Sequence, residues 1–386
     1  MNQILSFRSP NLILAGFGAA EKLGPEAKAM GAKNALLVTD KGVADSGIAD
    51  TIKNILAKEG IGVAVFSQVK PEPDLECQDA CIAAAKQGKY DLIVGLGGGS
   101  AMDVAAVTAV MLTNPGKVTD YVGADLIKTP GVPTILLPTT AGTGAEVTPN
   151  AVLSDPAAKG KKVLMSSYIL PRVAIIDPYL HVSMPPSVTS ASGMDALAHA
   201  VESFTHFSKA TVITDVFAKE AMVMISRSIR TAVAKGENMQ ARYDMAIGSL
   251  FAGIALANAG VNGVHALSYP LGVEYHVPHG VANGLLLPYV MEFNAIGNIP
   301  KFAEIARCLG EDVEGLPLVE QAYAAAESVK AILKDMKMAH SLTDLKISAD
   351  AIPAMAKAAA SNTRLLSVNP RAMTAADVEG IYRNCL

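Results

Sequence analysis

The chain has 386 residues, a formal net charge of −4, 51% hydrophobic and 18% charged residues. That is enough for two domains with real cores, and it argues against intrinsic disorder. With no Lys/Arg-rich block, no secretory or transit pattern at the N-terminus and no apolar run of about 18 residues, neither a nucleic-acid nor a membrane partner is expected, and a soluble cytoplasmic protein is.

Four short apolar runs, NALLVTD (34–40), GVAVFSQV (62–69), DLIVGLGG (91–98) and PTILLPTT (133–140), read as buried strands bounded by Gly, Pro or polar residues. Between the first three lie IADTIKNILAKEG (48–60) and LECQDACIAAAKQG (75–88), which have helical spacing and end at glycine. Strand and helix in alternation predict an α/β domain: a parallel sheet with helices on both faces. After PRVAIIDP (171–178) the segments become long, rich in Ala, Met and Leu, and poor in β-branched runs. An all-α C-terminal domain is expected, with the division at 1–182 and 183–386. There is no internal repeat and no low-complexity linker. The four cysteines, Cys77, Cys81, Cys308 and Cys385, are too few and too scattered for a disulfide framework, and they read as structural.

Two loops follow apolar strands. In GLGGGSAMD (95–103) the glycines permit close backbone approach, so that amide N–H groups at a helix start can face a pyrophosphate. Ser100 stands where the dinucleotide fingerprint has its last glycine, and no Walker-type motif occurs. The alternative is a turn that merely joins strand to helix. In PTTAGTGAE (138–146), Thr139, Thr140 and Thr143 offer hydroxyls suited to a phosphate or ribose; a Thr-rich turn is the other reading. Two such loops at the ends of neighbouring parallel strands favour a nucleotide. Asp40 closes the strand NALLVTD, where a carboxylate can accept from an adenosine ribose and repel a 2′-phosphate, which points to NAD(H) over NADP(H). It comes before the glycine loop, however, the reverse of the ordinary order, and it could simply cap the next turn.

The stretch GMDALAHAVESFTH (193–206) spaces Asp195, His199, Glu202 and His206 along one face of a helix, close enough to chelate an ion. A second segment, HALSYPLGVEYHVPHG (265–280), holds His265, His276 and His279, three of the seven histidines in the chain. An Asp and a His from one helix with two later histidines would give three nitrogens and one oxygen, a set suited to Fe(II), Zn(II) or a similar divalent ion. No H-E-x-x-H is present, which disfavours a metallohydrolase.

Taken together, GGGSAMD (97–103), PTTAGTGAEVT (138–148), GMDALAHAVE (193–202), HALSYPLG (265–272) and HGVAN (279–283) make the chain resemble, over essentially its whole length, the iron-dependent (group III) alcohol dehydrogenase family. The resemblance implies an N-terminal dinucleotide-binding α/β domain, an all-helical C-terminal domain, a metal in the cleft, and reversible oxidation of an alcohol with NAD(P). It assigns the metal, Fe(II) with Zn(II) as the alternative, to Asp195, His199, His265 and His279, and leaves Glu202, His206 and His276 out. It places the pyrophosphate on Gly97, Gly98 and Ser100 with Asp103 nearby, lines the cofactor with Thr139, Thr140 and Thr143, brings Lys162 to the nicotinamide ribose, and turns Asn150 to the reaction site. Asp40 matches the family's NAD-selecting acid, which this family places early. Two positions depart from the pattern. Tyr269 stands where many members have a histidine read as a proton relay, which shifts that task toward water and the cofactor ribose, and Gly284 stands where Ala is usual, a change expected to affect packing.

The expected substrate is a short-chain primary alcohol or diol, or the corresponding aldehyde, in a pocket lined by Leu256 and VEYHV (273–277). A small sulfonated or carboxylated aldehyde is the alternative. A lyase of the dehydroquinate-synthase type, related in fold, would need a Lys/Arg-rich substrate site, and the region 195–285 is poor in both. A homodimer or larger homo-oligomer is expected.

Overall fold

The computed structural model describes residues 4–155 and 160–386. The chain forms two compact units, Arg8–Met184, and Pro185–Leu386 together with residues 4–7. The division thus falls two residues later than the expected 182/183, and the start of the chain is counted with the helical unit. Phe7 stacks there on Phe217, with ring centroids 5.8 Å apart.

In chain order the first unit runs β1 (Leu12–Ala15), α1 (Leu23–Ala29), β2 (Asn34–Asp40), α2 (Lys41–Asp45), α3 (Ile48–Lys58), β3 (Gly62–Val69), α4 (Leu75–Gln87), β4 (Leu92–Gly97), α5 (Gly99–Met111), β5 (Gly123–Ala124), β6 (Thr134–Pro138), β7 (Asn150–Asp155), β8 (Gly160–Met165) and β9 (Val173–Ile176). Six strands form a parallel sheet in the order β1-β9-β6-β4-β2-β3. Successive residues of β2 go to opposite faces: Ala35 and Leu37 pack with α1 and α3, Leu36 and Val38 with α4 and α5. Both faces are covered, which is why these strands read as unbroken apolar runs rather than alternating ones.

Some elements of this unit leave only a weak signal in the sequence. The edge strand β1 is four residues long and only partly buried, so it carries little apolar signal. The second sheet, β5-β8-β7, holds an antiparallel pair from Asn150↔Met165 to Asp155↔Gly160. Its strand β8 opens Gly-Lys-Lys and is mostly half-buried, a pattern that hydrophobic runs do not reveal.

The second unit contains α6 (Pro186–Thr205), α7 (Val212–Ala234), α8 (Met239–Ala259), α9 (Gly263–Tyr275), α10 (His279–Ala295), α11 (Ile299–Cys308), α12 (Leu318–Asp335), α13 (Ile352–Ala360), α14 (Thr363–Leu366) and α15 (Ala375–Asn384), with no strand among the described residues. Helix α6 is its axis, packed against α7, α8 and α10. Every residue from Gly193 to Thr205 is buried. A helix sheathed on all sides must satisfy its polar side chains internally, so the polar groups of α6 need partners from other helices. No single described helix is both long and apolar enough to cross a membrane.

Candidate metal and cofactor sites

On α6, Asp195 and His199 stand one turn apart, and the two later histidines converge on them. Asp195 Oδ1 lies 3.7 Å from His199 Nε2 and 3.8 Å from both His265 Nε2 and His279 Nε2. The His199 and His265 rings stack with centroids 4.9 Å apart, and His279 meets His265 edge-on at 5.2 Å. Asp195, His199 and His265 are buried, whereas the His279 side chain is 41% exposed and marks the open side of the cluster. The close approach of α10 to α6 depends on Gly280. A Cβ there would lie 2.1 Å from the Ala191 carbonyl oxygen, so only glycine lets the first turn of α10 deliver His279 to Asp195.

Asn283, in HGVAN one turn after His279, is a further residue of the site that the sequence motifs alone do not assign. Its Nδ2 lies 2.7 Å from Asp195 Oδ1 and 3.1 Å from Nε2 of both His265 and His279, and its Oδ1 is buried with no partner among the described residues. The i+4 spacing from His279 was the signal that could have found it. Gly284, the next residue, packs where an added Cβ would sit 3.1 Å from Met194 Cβ, so its lack of a side chain bears on the α10–α6 contact.

Asp195, His265 and His279 each offer a ligand atom within 4.8 Å of the other two, a grouping that fits a small divalent cation, and His199 Nε2 adjoins it through Asp195 Oδ1 at 3.7 Å. Ligand atoms about 2.1 Å from a tetrahedral ion lie about 3.4 Å from one another, a few tenths of an ångström less than the spacings around Asp195. A single amide with two hydrogens cannot serve one carboxylate and two imidazole nitrogens together, so the cluster is rich in Lewis bases and short of donors. Burial opposes ionisation of Asp195, yet His199, His279 and His265, with Asn283, hold its carboxyl below the ordinary value. Burial likewise opposes charge on His265, and Glu202 and Asp195 outweigh it, raising its pKa.

The remaining candidates separate cleanly. Glu202 turns to the far ring nitrogen of His265. His206 follows the last residue of α6, where its Nδ1 accepts from the Lys209 backbone N–H (3.1 Å), and burial, with Lys209 nearby, pushes its pKa down to about 4, so it is a neutral structural group. His276 is exposed and closes α9 in the left-handed region at φ 54°. Tyr269 is partly buried with its ring centroid 6.5 Å from that of His279; burial raises its pKa, Arg364 opposes, and Glu202 and Asp195 add to the rise.

In the N-terminal unit the sheet order makes β2, β4 and β6 neighbours, and their C-terminal ends gather the residues singled out in the sequence. Gly97 has φ 147°, and a Cβ on it would lie 2.8 Å from Ala101 Cβ and 3.2 Å from Asp40 Oδ2. Asp40 therefore reaches the glycine loop in space although it is far from it in sequence. Its other oxygen accepts from Val43 N (3.0 Å) and caps α2, which leaves Oδ2 as the oxygen on the side of the loop. The Gly97 carbonyl accepts from Thr139 N (2.9 Å), while Thr140 flanks Gly98 and Thr143 packs against Gly99. Helix α5 starts at this loop with Ser100 in its first turn and no side chain capping it. The other assignments sit differently. Asp103 accepts from Val152 N (2.9 Å) and so secures β7, Asn150 opens β7, and Lys162 pairs with Asp155 (2.8 Å).

Two family models match the chain, one described as iron-containing alcohol dehydrogenase over residues 10–178 and one as the C-terminal part of that family over 189–386. The chain belongs to the iron-containing alcohol dehydrogenase family. It is 43% identical over 376 residues, 97% of this chain and 94% of the other, to long-chain-alcohol dehydrogenase 1 of Geobacillus thermodenitrificans. Among solved structures, that of a 1,3-propanediol oxidoreductase is 37% identical, covers 100% of both chains and superposes with a TM-score of 0.96. A sulfoacetaldehyde reductase from Bifidobacterium kashiwanohense, solved in complex with NAD+, is 31% identical with a TM-score of 0.90 and covers 100% of this chain and 99% of its own. The family is one of metal-containing oxidoreductases acting on alcohols and aldehydes, with an α/β unit followed by a helical one.

Proposed function

We propose that this family member interconverts a small primary alcohol or diol and its aldehyde with NAD(H), using a divalent ion held by Asp195, His199, His265 and His279. The observation that carries the reading is the convergence of three imidazole nitrogens on one buried carboxylate oxygen within 3.8 Å. A divalent ion bound there supplies Lewis acidity, which in known sites lowers the pKa of a bound water from 15.7 to about 7 and in the same sense favours an alkoxide.

The chain's own residues supply binding and orientation. The backbone of Gly97 and Gly98 and the first turn of α5 at Ser100 suit a pyrophosphate, since helix N-termini present unpaired N–H groups to anions. Asp40 Oδ2, beside Gly97, accepts from adenosine ribose hydroxyls. Thr139, Thr140 and Thr143, beside the glycine loop, line the cofactor, with Asp103 bracing β7, and Lys162 and Asn150 remain the proposed contacts to the nicotinamide side. Asn283 Nδ2 fixes the rotamer of Asp195 by donating to its Oδ1. Leu256 and the segment 273–277 are proposed to line the substrate pocket.

A phenol with an ordinary pKa of about 10 holds its proton through the neutral range. Tyr269→Phe is therefore expected to leave the pH dependence of kcat/KM between pH 6 and 9 in place, with any change confined to KM. Loss of one limb of that profile in the Phe variant would make the phenol the proton carrier.

The test of the whole reading is NADH oxidation with a panel of aldehydes, using protein reconstituted anaerobically with Fe(II) and, separately, with Zn(II). Lactaldehyde and 3-hydroxypropanal test the short-chain assignment, a straight-chain series tests the length preference suggested by the Geobacillus relative, and sulfoacetaldehyde tests the acidic alternative. Turnover of short aldehydes above the rest supports the proposal. No turnover of any aldehyde or alcohol with either metal sinks it.

A further inference from the structure

Glu202 lies two turns after Asp195 and one after His199 on α6, 1% exposed, outside the group formed by Asp195, His265 and His279. Its Oε1 accepts from the backbone N–H groups of Asn262 (2.9 Å) and Val264 (2.8 Å), with His265 N at 3.4 Å. Its Oε2 meets His265 Nδ1 in a direct hydrogen bond. The Asn262 side chain answers by donating to the Glu202 carbonyl (3.0 Å), and Ser203 Oγ donates to the Gly260 carbonyl (3.1 Å). One carboxylate thus caps the start of α9 and grips the first ligand that α9 carries.

We infer that Glu202 is a positioning residue that locks His265 in the tautomer whose bare Nε2 faces Asp195, while it fastens α9 to α6. The inference rests on the proposed metal-binding role of His265. An ionised carboxylate only accepts hydrogen bonds, so its partner nitrogen must carry the proton. With the proton on Nδ1, a neutral ring presents a lone pair at Nε2, the form a metal requires of histidine. A second contact is in keeping with this tautomer: Asn283 Nδ2, a donor, lies 3.1 Å from His265 Nε2, where a bare nitrogen can accept. The backbone N–H groups of Asn262 and Val264, with His265 N at 3.4 Å, converge on Oε1, which holds the carboxylate so that Oε2 is the oxygen presented to Nδ1.

Glu202→Gln separates tautomer control from capping. The amide oxygen can still accept from Asn262 and Val264, but the NH₂ now faces Nδ1 and drives the ring proton to Nε2. Three measurements follow on the full-length protein. Nitrogen-15 NMR of the metal-free, histidine-labelled protein is expected to show His265 protonated at Nδ1 in the wild type and at Nε2 in Glu202→Gln. Competition with a chromophoric chelator is expected to show the dissociation constant for Zn(II) and for Co(II) raised about 10- to 100-fold, the range typical of outer-shell partners. Far-UV circular dichroism of the metal-free variant is expected to match the wild type. Asn262→Ala, which loosens the cap and leaves Glu202 on His265, is expected to lower the melting temperature with little change in metal affinity.

Wild-type affinity in Glu202→Gln, while His265→Ala loses binding, would overturn the role of Glu202 and leave the metal site standing. Equal weakening by Asn262→Ala and Glu202→Gln would reduce Glu202 to a cap and overturn it as well. Unchanged ion binding in Asp195→Ala would remove the metal reading itself, and this inference with it.

Discussion

Asp195→Ala and His265→Ala are each expected to lose the bound divalent ion and, with it, turnover. Asp195 is the hub of the cluster, the one oxygen within 3.8 Å of three imidazole nitrogens, and the only anion among them. Its removal leaves three imidazoles with no carboxylate oxygen among them. Replacement of a direct ligand should exceed the 10- to 100-fold loss of affinity typical when an outer partner is removed. Activity should fall by on the order of 10³-fold or more, the upper end for deleting one electrostatic stabiliser of a developing oxyanion. Metal content after dialysis and kcat/KM on the best aldehyde from the panel check both effects in the same preparations. Full turnover in a variant shown to be free of metal would refute the mechanism. The fold should survive these changes, because the backbone contact of α10 with α6 at Gly280 and the capping bonds of Glu202 do not pass through either side chain.

The second large effect concerns cofactor choice. The Asp40 carboxylate sits beside Gly97, where the loop proposed to hold the pyrophosphate begins, and a 2′-phosphate brought to it would place like charges together. Two unit charges 4 Å apart near a protein surface interact by about 4 kcal/mol, and juxtaposed like charges cost several kcal/mol in recognition, so kcat/KM with NADH should exceed that with NADPH by about 100-fold or more. Asp40→Asn removes the charge and keeps an acceptor for Val43 N, since Asn caps helices about as well as Asp. The variant is expected to retain its stability and to gain at least about tenfold in kcat/KM with NADPH. Equal use of the two cofactors by the wild type would refute the assignment, and a lowered melting temperature with unchanged preference would leave Asp40 as a cap alone. The preference should narrow at high salt, because a half-exposed charge is screened.

The sequence by itself determined the class of each half. Continuous apolar runs of strand length, separated by helical segments ending at glycine, permit little besides a parallel sheet covered on both faces. The long Ala- and Met-rich segments after residue 178 permit little besides packed helices. The spacing of Asp195 and His199 likewise belongs to the sequence, since one helical turn brings them to the same face. What lay beyond it were the short, half-buried elements, the edge strand Leu12–Ala15 and the β7–β8 hairpin, which bury too little surface to leave a hydrophobic period.

Tertiary structure alone decided which atoms meet. Asp195, Glu202 and His206 share a stripe, and spacing offers all of them equally as ligands. The packing of α9 and α10 onto α6 sends His265 and His279 to Asp195, and turns Glu202 to the outer nitrogen of His265. His206, just past the last turn, finds only backbone N–H groups. Asp40 and Gly97 are likewise far apart along the chain and become neighbours because β2 and β4 pair in register, Val38 opposite Gly95. Local periodicity fixes the direction in which a side chain leaves its own backbone, whereas its partner is set by contacts between segments distant in sequence. Helical spacing puts Asn283 on the face of His279, and the packing of α10 against α6 turns it to Asp195.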